Sequence, residues 1–154
     1  MTEKETQANK ELLLKDLSAR LPYGVLGQCE IDASYDTEFE TIPQTHKFQA
    51  VAHGIIEDSL FVSPMIENQY ELEIANEEIG DGVYILDFKP YLFPLSSMTE
   101  KQKNEYRYIT ERWMNDLGYS ISDIIDWLNK NHFDYRSLIE KGLAIDATGL
   151  NIYC

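Results

Sequence analysis

The sequence predicts an α+β fold: a small antiparallel sheet or partly closed barrel of about five strands, with one N-terminal helix and two to three C-terminal helices. Three observations carry this reading. Leucines recur at helical spacing near the start, short extended runs separated by turn residues fill 25–88, and helical spacing with capping signals returns over 97–142. With 154 residues, 44% hydrophobic and 12% aromatic, the chain has the length and composition for one core. Residues 1–154 are therefore read as a single domain with three subregions: a helix at 6–21, an acidic strand-rich stretch at 25–88 and a helical stretch at 97–142.

In the first helix Leu13, Leu14, Leu17 and Leu21 make an apolar stripe, with Lys10, Glu11, Lys15 and Asp16 toward water; Pro22 and Gly24 end it. The strands expected next are Val25–Ile31, Phe48–Ile56, Leu60–Ser63, Tyr70–Ile74 and Val83–Phe88. Tyr70-Glu71-Leu72-Glu73-Ile74 alternates strictly, as a strand with one wet face does, and Glu57-Asp58-Ser59, Glu67-Asn68-Gln69 and Gly80-Asp81-Gly82 are turn chemistry. Asp32–Thr45 reads as a loop.

Lys89-Pro90-Tyr91-Leu92-Phe93-Pro94 reads as an extended connector. A capping box at Ser97–Glu100 opens a helix to Leu117 whose inner stripe is Tyr106, Ile109, Trp113 and Leu117, stopped by Gly118. Ser120 with Asp123 caps a second helix to Lys130, with Ile121, Ile124, Ile125 and Leu128 inward. Asp134 is expected to cap a short third helix over Tyr135–Lys141, ended by Gly142.

Charge is unevenly placed. The net charge is −14, yet Met1–Gly24 balances four acids with four bases, and Ser96–Cys154 sets nine acids against seven bases. Val25–Leu95 holds 14 acids against only Lys47 and Lys89, a net −12. Such a field repels phosphate backbones and attracts basic partners or cations, so direct nucleic-acid binding is not expected. No apolar run approaches the roughly 18 residues that span a bilayer. The start Met1-Thr2-Glu3-Lys4-Glu5 lacks the apolar stretch of a secretory signal, and Cys29 and Cys154 show no CxxC spacing, so a reducing cytoplasm is expected. Cys29 reads as a buried strand residue, and Cys154 as a mobile terminal one.

Candidate chemistry is sparse. His46 and His53 lie seven apart, which matches no zinc-binding helix face, and read as structural; no metal or other cofactor is expected. Glu71, Glu73, Glu77, Glu78 and Asp81 lack the ordered ligand spacing of a calcium loop and read as a solvated strand face and turn. His132-Phe133-Asp134-Tyr135-Arg136 puts an imidazole, a carboxylate and a guanidinium within five residues, enough for mutual orientation at an acid/base site, though a capped helix corner has the same composition. Trp127 is expected to be partly exposed, because it departs from the stripe of Ile124 and Leu128. The candidate binding residues are thus Glu71, Glu73, Glu77, Glu78, Trp127, His132, Asp134 and Arg136, with no catalytic residue assigned.

Three blocks, Leu12–Gly24, Lys89–Thr99 and Asp126–Ala144 in its Asp126–Asn129, His132–Arg136 and Leu138–Ala144 parts, resemble uncharacterised small proteins of gut Bacteroidetes often encoded beside phage or mobile-element genes. Ser137 stands where glycine is usual in them, and the segment after Ala144 differs. The resemblance implies a bacterial, prophage-derived setting and carries no activity. The expected function is a noncatalytic interaction module whose acidic middle meets a protein partner, basic or otherwise. The alternatives are an acidic nucleic-acid mimic that inhibits a DNA-binding protein, or a small enzyme using His132 and Asp134.

Overall fold

A computed structural model describes residues 1–153, and the expectation for Cys154 lies outside them. The chain is α+β, with four α-helices and a mixed sheet among the described residues. Helix α1 (Glu3–Arg20) starts at Thr2, whose hydroxyl accepts from Glu5 N–H while the Glu5 carboxylate accepts from Thr2 N–H. It crosses one face of the sheet and buries Leu13 and Leu17 against Val25, Cys29, Phe88 and Leu92. Each such leucine contributes about 1.5–3 kcal/mol.

Strand β1 (Val25–Asp32) pairs antiparallel with β4 (Thr45–Ile56), which pairs with β5 (Ser59–Pro64), which pairs with the two-residue β6 (Val83–Tyr84). In β1 the odd residues are buried and Glu30 and Asp32 face water, the period of two that a half-wet strand requires. On its other edge β1 meets β7 (Phe88–Pro94) through Gly27–Cys29. Gly27 is glycine for lack of room: a Cβ there would lie 2.2 Å from Cζ of the buried Phe88 and 2.7 Å from the Lys89 carbonyl. One step beyond Gly27 and Pro90 the ladder is completed by a side chain. The Tyr153 hydroxyl accepts from Leu26 N–H at 3.1 Å and shares its one proton between the carbonyls of Tyr91 (2.9 Å) and Leu26 (3.1 Å). Burial pushes that phenol up to about 12.

Several sequence expectations are corrected. The expected connector Lys89–Pro94 is the body of β7, with Pro90, Tyr91 and Leu92 buried. Its far edge is filled in parallel by β8 (Phe133–Asp134) and β9 (Ile145–Asp146), so the sheet is mixed, stays open and does not form a barrel. Val83–Phe88 is not one strand; β6 ends at Tyr84 and a 3-10 turn, Ile85–Asp87, leads into β7. Tyr70–Ile74 belongs to helix α2 (Gln69–Ile79), because the Asn68 side chain caps Glu71 N–H and Ala75 and Ile79 carry an inward face on to Gly80. Asp32–Thr45 is more than a loop: it carries a small hairpin, β2 (Tyr35–Asp36) with β3 (Thr41–Ile42).

Past β7, Thr99 and Gln102 form the capping box of α3 (Glu100–Met114), while Ser97 donates its hydroxyl to the Pro94 carbonyl. Helix α3 stops before Leu117 in a Schellman turn, with Leu117 N–H on Arg112 O, Asp116 N–H on Trp113 O and Asp116 at φ 56°. Trp113 and Leu117 are consequently exposed, and only Tyr106 and Ile109 of the expected stripe pack inward. Helix α4 (Ile121–Lys130) has the expected Ser120–Asp123 box and buries Ile124 and Leu128 with Phe133, but Ile121 is exposed. No third C-terminal helix forms. Ser137 at φ 58° interrupts the segment, which closes only as turns, through Lys141 N–H on Ser137 O, Gly142 N–H on Ile139 O and Leu143 N–H on Leu138 O.

Candidate interaction surfaces

All 14 carboxylates of Val25–Leu95 lie at the surface: 12 are exposed, and Asp58 and Asp87 are half-buried. Basic partners within 4 Å are few among the described residues, namely Lys10 on Asp58, Lys47 on Glu30 and the imidazole of His46 on Glu78. Coulomb cost spreads such a set outward, where water solvates each charge. The carboxylates do not run as one line. The hairpin beyond β1 holds Asp36, Glu38 and Glu40, helix α2 holds its glutamates, and Glu57–Asp58 sit at the other end of the twelve-residue β4.

Helix α2 gives the candidate glutamates a pattern that a strand would not. At about 100° per residue, Glu73 and Glu77 fall along one flank and Glu71 and Glu78 along the other. Tyr70 and Ile74, one turn apart, run between the two flanks. Tyr70 is 72% exposed and Ile74 is half-buried. Glu78 takes a 2.6 Å contact from His46 Nδ1 on β4, and together with Glu71, Ile74 and Gln44 they line a hollow of about 210 Å³. The outward side of α2 is therefore an apolar stripe between two glutamate rails.

His132, Asp134 and Arg136 are drawn into the protein and given different partners. Asp134 is buried and accepts from the backbone N–H groups of Arg136, Leu138 and Ile139 at 3.3, 3.0 and 3.0 Å. Arg136 Nη1 lies 3.5 Å from Asp16, which also holds Arg20 through two hydrogen bonds of 2.7 and 3.1 Å. Both Asp16 and Arg20 are fully buried, and Arg20 donates onward to Phe133 O at 2.6 Å. The His132 ring stacks on Tyr153 at 3.5 Å and 10°, with Nδ1 buried and unpartnered. Burial first, and the Arg20 charge second, push its imidazole down to about 4, so it is neutral at pH 7. Arg20 on Phe133 O and Arg136 on Asp16 fasten β8 and the turn after it to α1. His132 and Asp134 do not converge: Asp134 edges a hollow of about 290 Å³ that His132 does not line.

Trp127 is half-buried, stacked on Phe133 at 5.6 Å and 17°, and its Nε1–H donates to Glu105 at 3.3 Å. It forms the floor of an open groove of about 590 Å³ between α3 and α4, lined also by Tyr108, Ile109, Tyr119 and Lys130. Sequence reasoning singled out Trp127 but missed Tyr108 and Tyr119, which meet edge to face at 6.0 Å. Spacing alone ties Tyr108 to α3 and says nothing of Tyr119 in the following turn.

A further hollow of about 320 Å³ on the wet side of β1 is lined by Glu30, Asp32, Asp87 and Lys89 among others. Burial, and then the charge of Glu30, push the Asp87 carboxyl up. Among the described residues no three His, Cys, Asp or Glu side chains are gathered closely enough to hold a metal ion, and no helix is long and apolar enough to cross a membrane. Cys29 is buried and its thiol is pushed up to about 12, chiefly by burial. No family model, curated protein or solved structure matches the chain.

Proposed function

We propose that this chain is a noncatalytic interaction module that binds a basic segment of a partner protein along the outward side of α2. The observation that carries the reading is the arrangement on that helix: Tyr70 and Ile74 between the Glu73–Glu77 and Glu71–Glu78 rails. A segment with an apolar stripe bordered by Lys or Arg is its complement, with the apolar contact adding affinity and the rails selecting charge and orientation. The separate partners of His132 and Asp134 weigh against an acid/base site, which needs both groups on one reacting atom. The division of carboxylates between hairpin, α2 and the β4–β5 turn weighs against a nucleic-acid mimic, which needs one phosphate-like line. The bacterial, mobile-element and cytoplasmic setting belongs to the same proposal and is tested by the neighbouring genes.

The test is an array of amphipathic peptides with apolar stripes and Lys/Arg borders, probed with the full chain and with Glu71→Gln/Glu73→Gln/Glu77→Gln/Glu78→Gln. Wild-type binding that falls at least tenfold in the variant supports the reading. Equal binding by both, or binding to acidic peptides instead, overturns it.

A further inference from the structure

We infer that the chain carries a binding site for a small amphipathic anion, an aliphatic carboxylate, in a hollow between α1, the start of β7 and the turn before β9. The hollow measures about 200 Å³. Leu13 reaches it from α1, Leu86 and Phe88 from the 3-10 turn and β7, and Leu143 from the turn. Leu13, Phe88 and Leu143 are buried members of the main core, so the floor of the hollow is the core itself. Such a floor takes an alkyl group and refuses a polar one, which would lose its water there without gaining a partner. The volume equals that of about seven waters at about 30 Å³ each, room for a chain of about six carbons.

The rim carries charge of one sign. Lys89 and Lys141 line the hollow, and no Asp or Glu does. The hollows beside α2, on β1, at Asp134 and between α3 and α4 each have at least one carboxylate in their lining, as a chain of net charge −14 favours. Both lysines are exposed, and neither has a carboxylate within 4 Å among the described residues. Glu30 and Asp87 belong to the neighbouring hollow that shares Lys89, and Glu140 precedes Lys141. These acids weaken the site without entering it. Asn9, half-buried one turn before Leu13, adds a donor: its amide rests on Met1 Sδ at 3.5 Å, a weak acceptor that a carboxylate oxygen improves on. Gly142, at φ 72°, leaves the rim open, with no heavy atom within 4 Å of the place of a Cβ. An alkyl carboxylate answers both features, its tail covering the apolar floor and its head meeting the lysines and Asn9. A cation meets two like charges, and a small inorganic anion leaves the floor bare.

The proposal uses no α2 residue, so it stands or falls separately from the partner reading. Its test is a two-dimensional NMR titration of the full chain with acetate, butyrate, hexanoate and decanoate at constant ionic strength, with hexanamide as the uncharged match. Hexanoate is expected to shift the amides of Phe88, Gly142 and Leu143 and to saturate at a few millimolar, roughly the affinity of so small a ligand. Each buried methylene is worth roughly fourfold, so affinity should climb from acetate to hexanoate and level off at decanoate, whose tail outruns the hollow. An exposed ion pair is worth up to about fivefold, so hexanamide should bind the wild type, and hexanoate should bind Lys89→Met/Lys141→Met, at least about fivefold more weakly. Circular dichroism verifies the variant's fold. No saturation by hexanoate up to about 50 mM, shifts confined to other parts of the surface, equal binding of hexanamide, equal binding by the variant, or affinity still climbing at decanoate would overturn it.

Discussion

His132 gives the protein a pH dependence of known sign. Its imidazole is pushed down to about 4 in the folded chain against 6.5 in a free one. The unfolded chain therefore takes a proton that the native one refuses as pH falls from 6.5 toward 4. Stability is unaffected above this window, falls within it by up to about 3 kcal/mol, and levels off below it. Urea unfolding of wild type and His132→Asn across that range checks this: the gap between the two should shift in favour of the variant as pH drops, whatever constant offset the substitution adds. A parallel pair of curves contradicts it. The Asp16–Arg20 pair, both members fully buried, predicts a different pattern. Arg20→Met strands a carboxylate and should cost about 3–5 kcal/mol, whereas Asp16→Leu/Arg20→Met should recover most of that. Ser137, exposed at φ 58°, predicts a gain: Ser137→Gly should raise stability by up to about 1 kcal/mol in the same assay.

At the scale of elements, the crossing of Phe88 over Gly27 fixes how β1 meets β7. Gly27→Ala should cost about 3 kcal/mol by thermal melting, since both the ring and the Lys89 carbonyl stand in the way of a Cβ. A cost under about 0.5 kcal/mol would mean the strands part more freely than their packing implies. How far elements were legible follows from which forces set them. Helices α1 and α4 were readable because their caps and stripes are local: Thr2 and Glu5 lie outside the range expected for α1, yet the leucines place it, and Ser120–Asp123 names the start of α4 directly. Helix α2 was misread because Tyr70–Ile74 satisfies both periods; Asn68, Ala75 and Ile79, with Gly80 as stop, decide for the helix. β7 was hidden by its prolines: Pro90 lacks an N–H, but Gly27 across from it needs none there. The parallel edge made by β8 and β9 depends on contacts over 40 residues or more, which no local pattern records. Of the candidate site, residue identities and exposure at Glu71, Glu73, Glu77 and Glu78 were legible. Their arrangement as rails was not, because it depends on the helix.

Taken as a whole molecule, the protein separates two kinds of polar chemistry. Charges that are paired and buried, Asp16 with Arg20 and Asp134 with three backbone amides, hold α1, β8 and the turn after it together. The carboxylates of Val25–Leu95 stay at the surface, and few of them have a basic partner within the described residues, which leaves their charge available to a partner. The most direct test is the salt dependence of binding between the full chain and an amphipathic Lys/Arg peptide taken from the array, measured by titration calorimetry from about 50 to about 500 mM salt. Affinity should fall steeply as salt rises, and Glu71→Gln/Glu73→Gln/Glu77→Gln/Glu78→Gln should bind at least tenfold more weakly with a flatter salt slope. Binding that ignores salt, or a variant that keeps wild-type affinity and slope, would contradict the account.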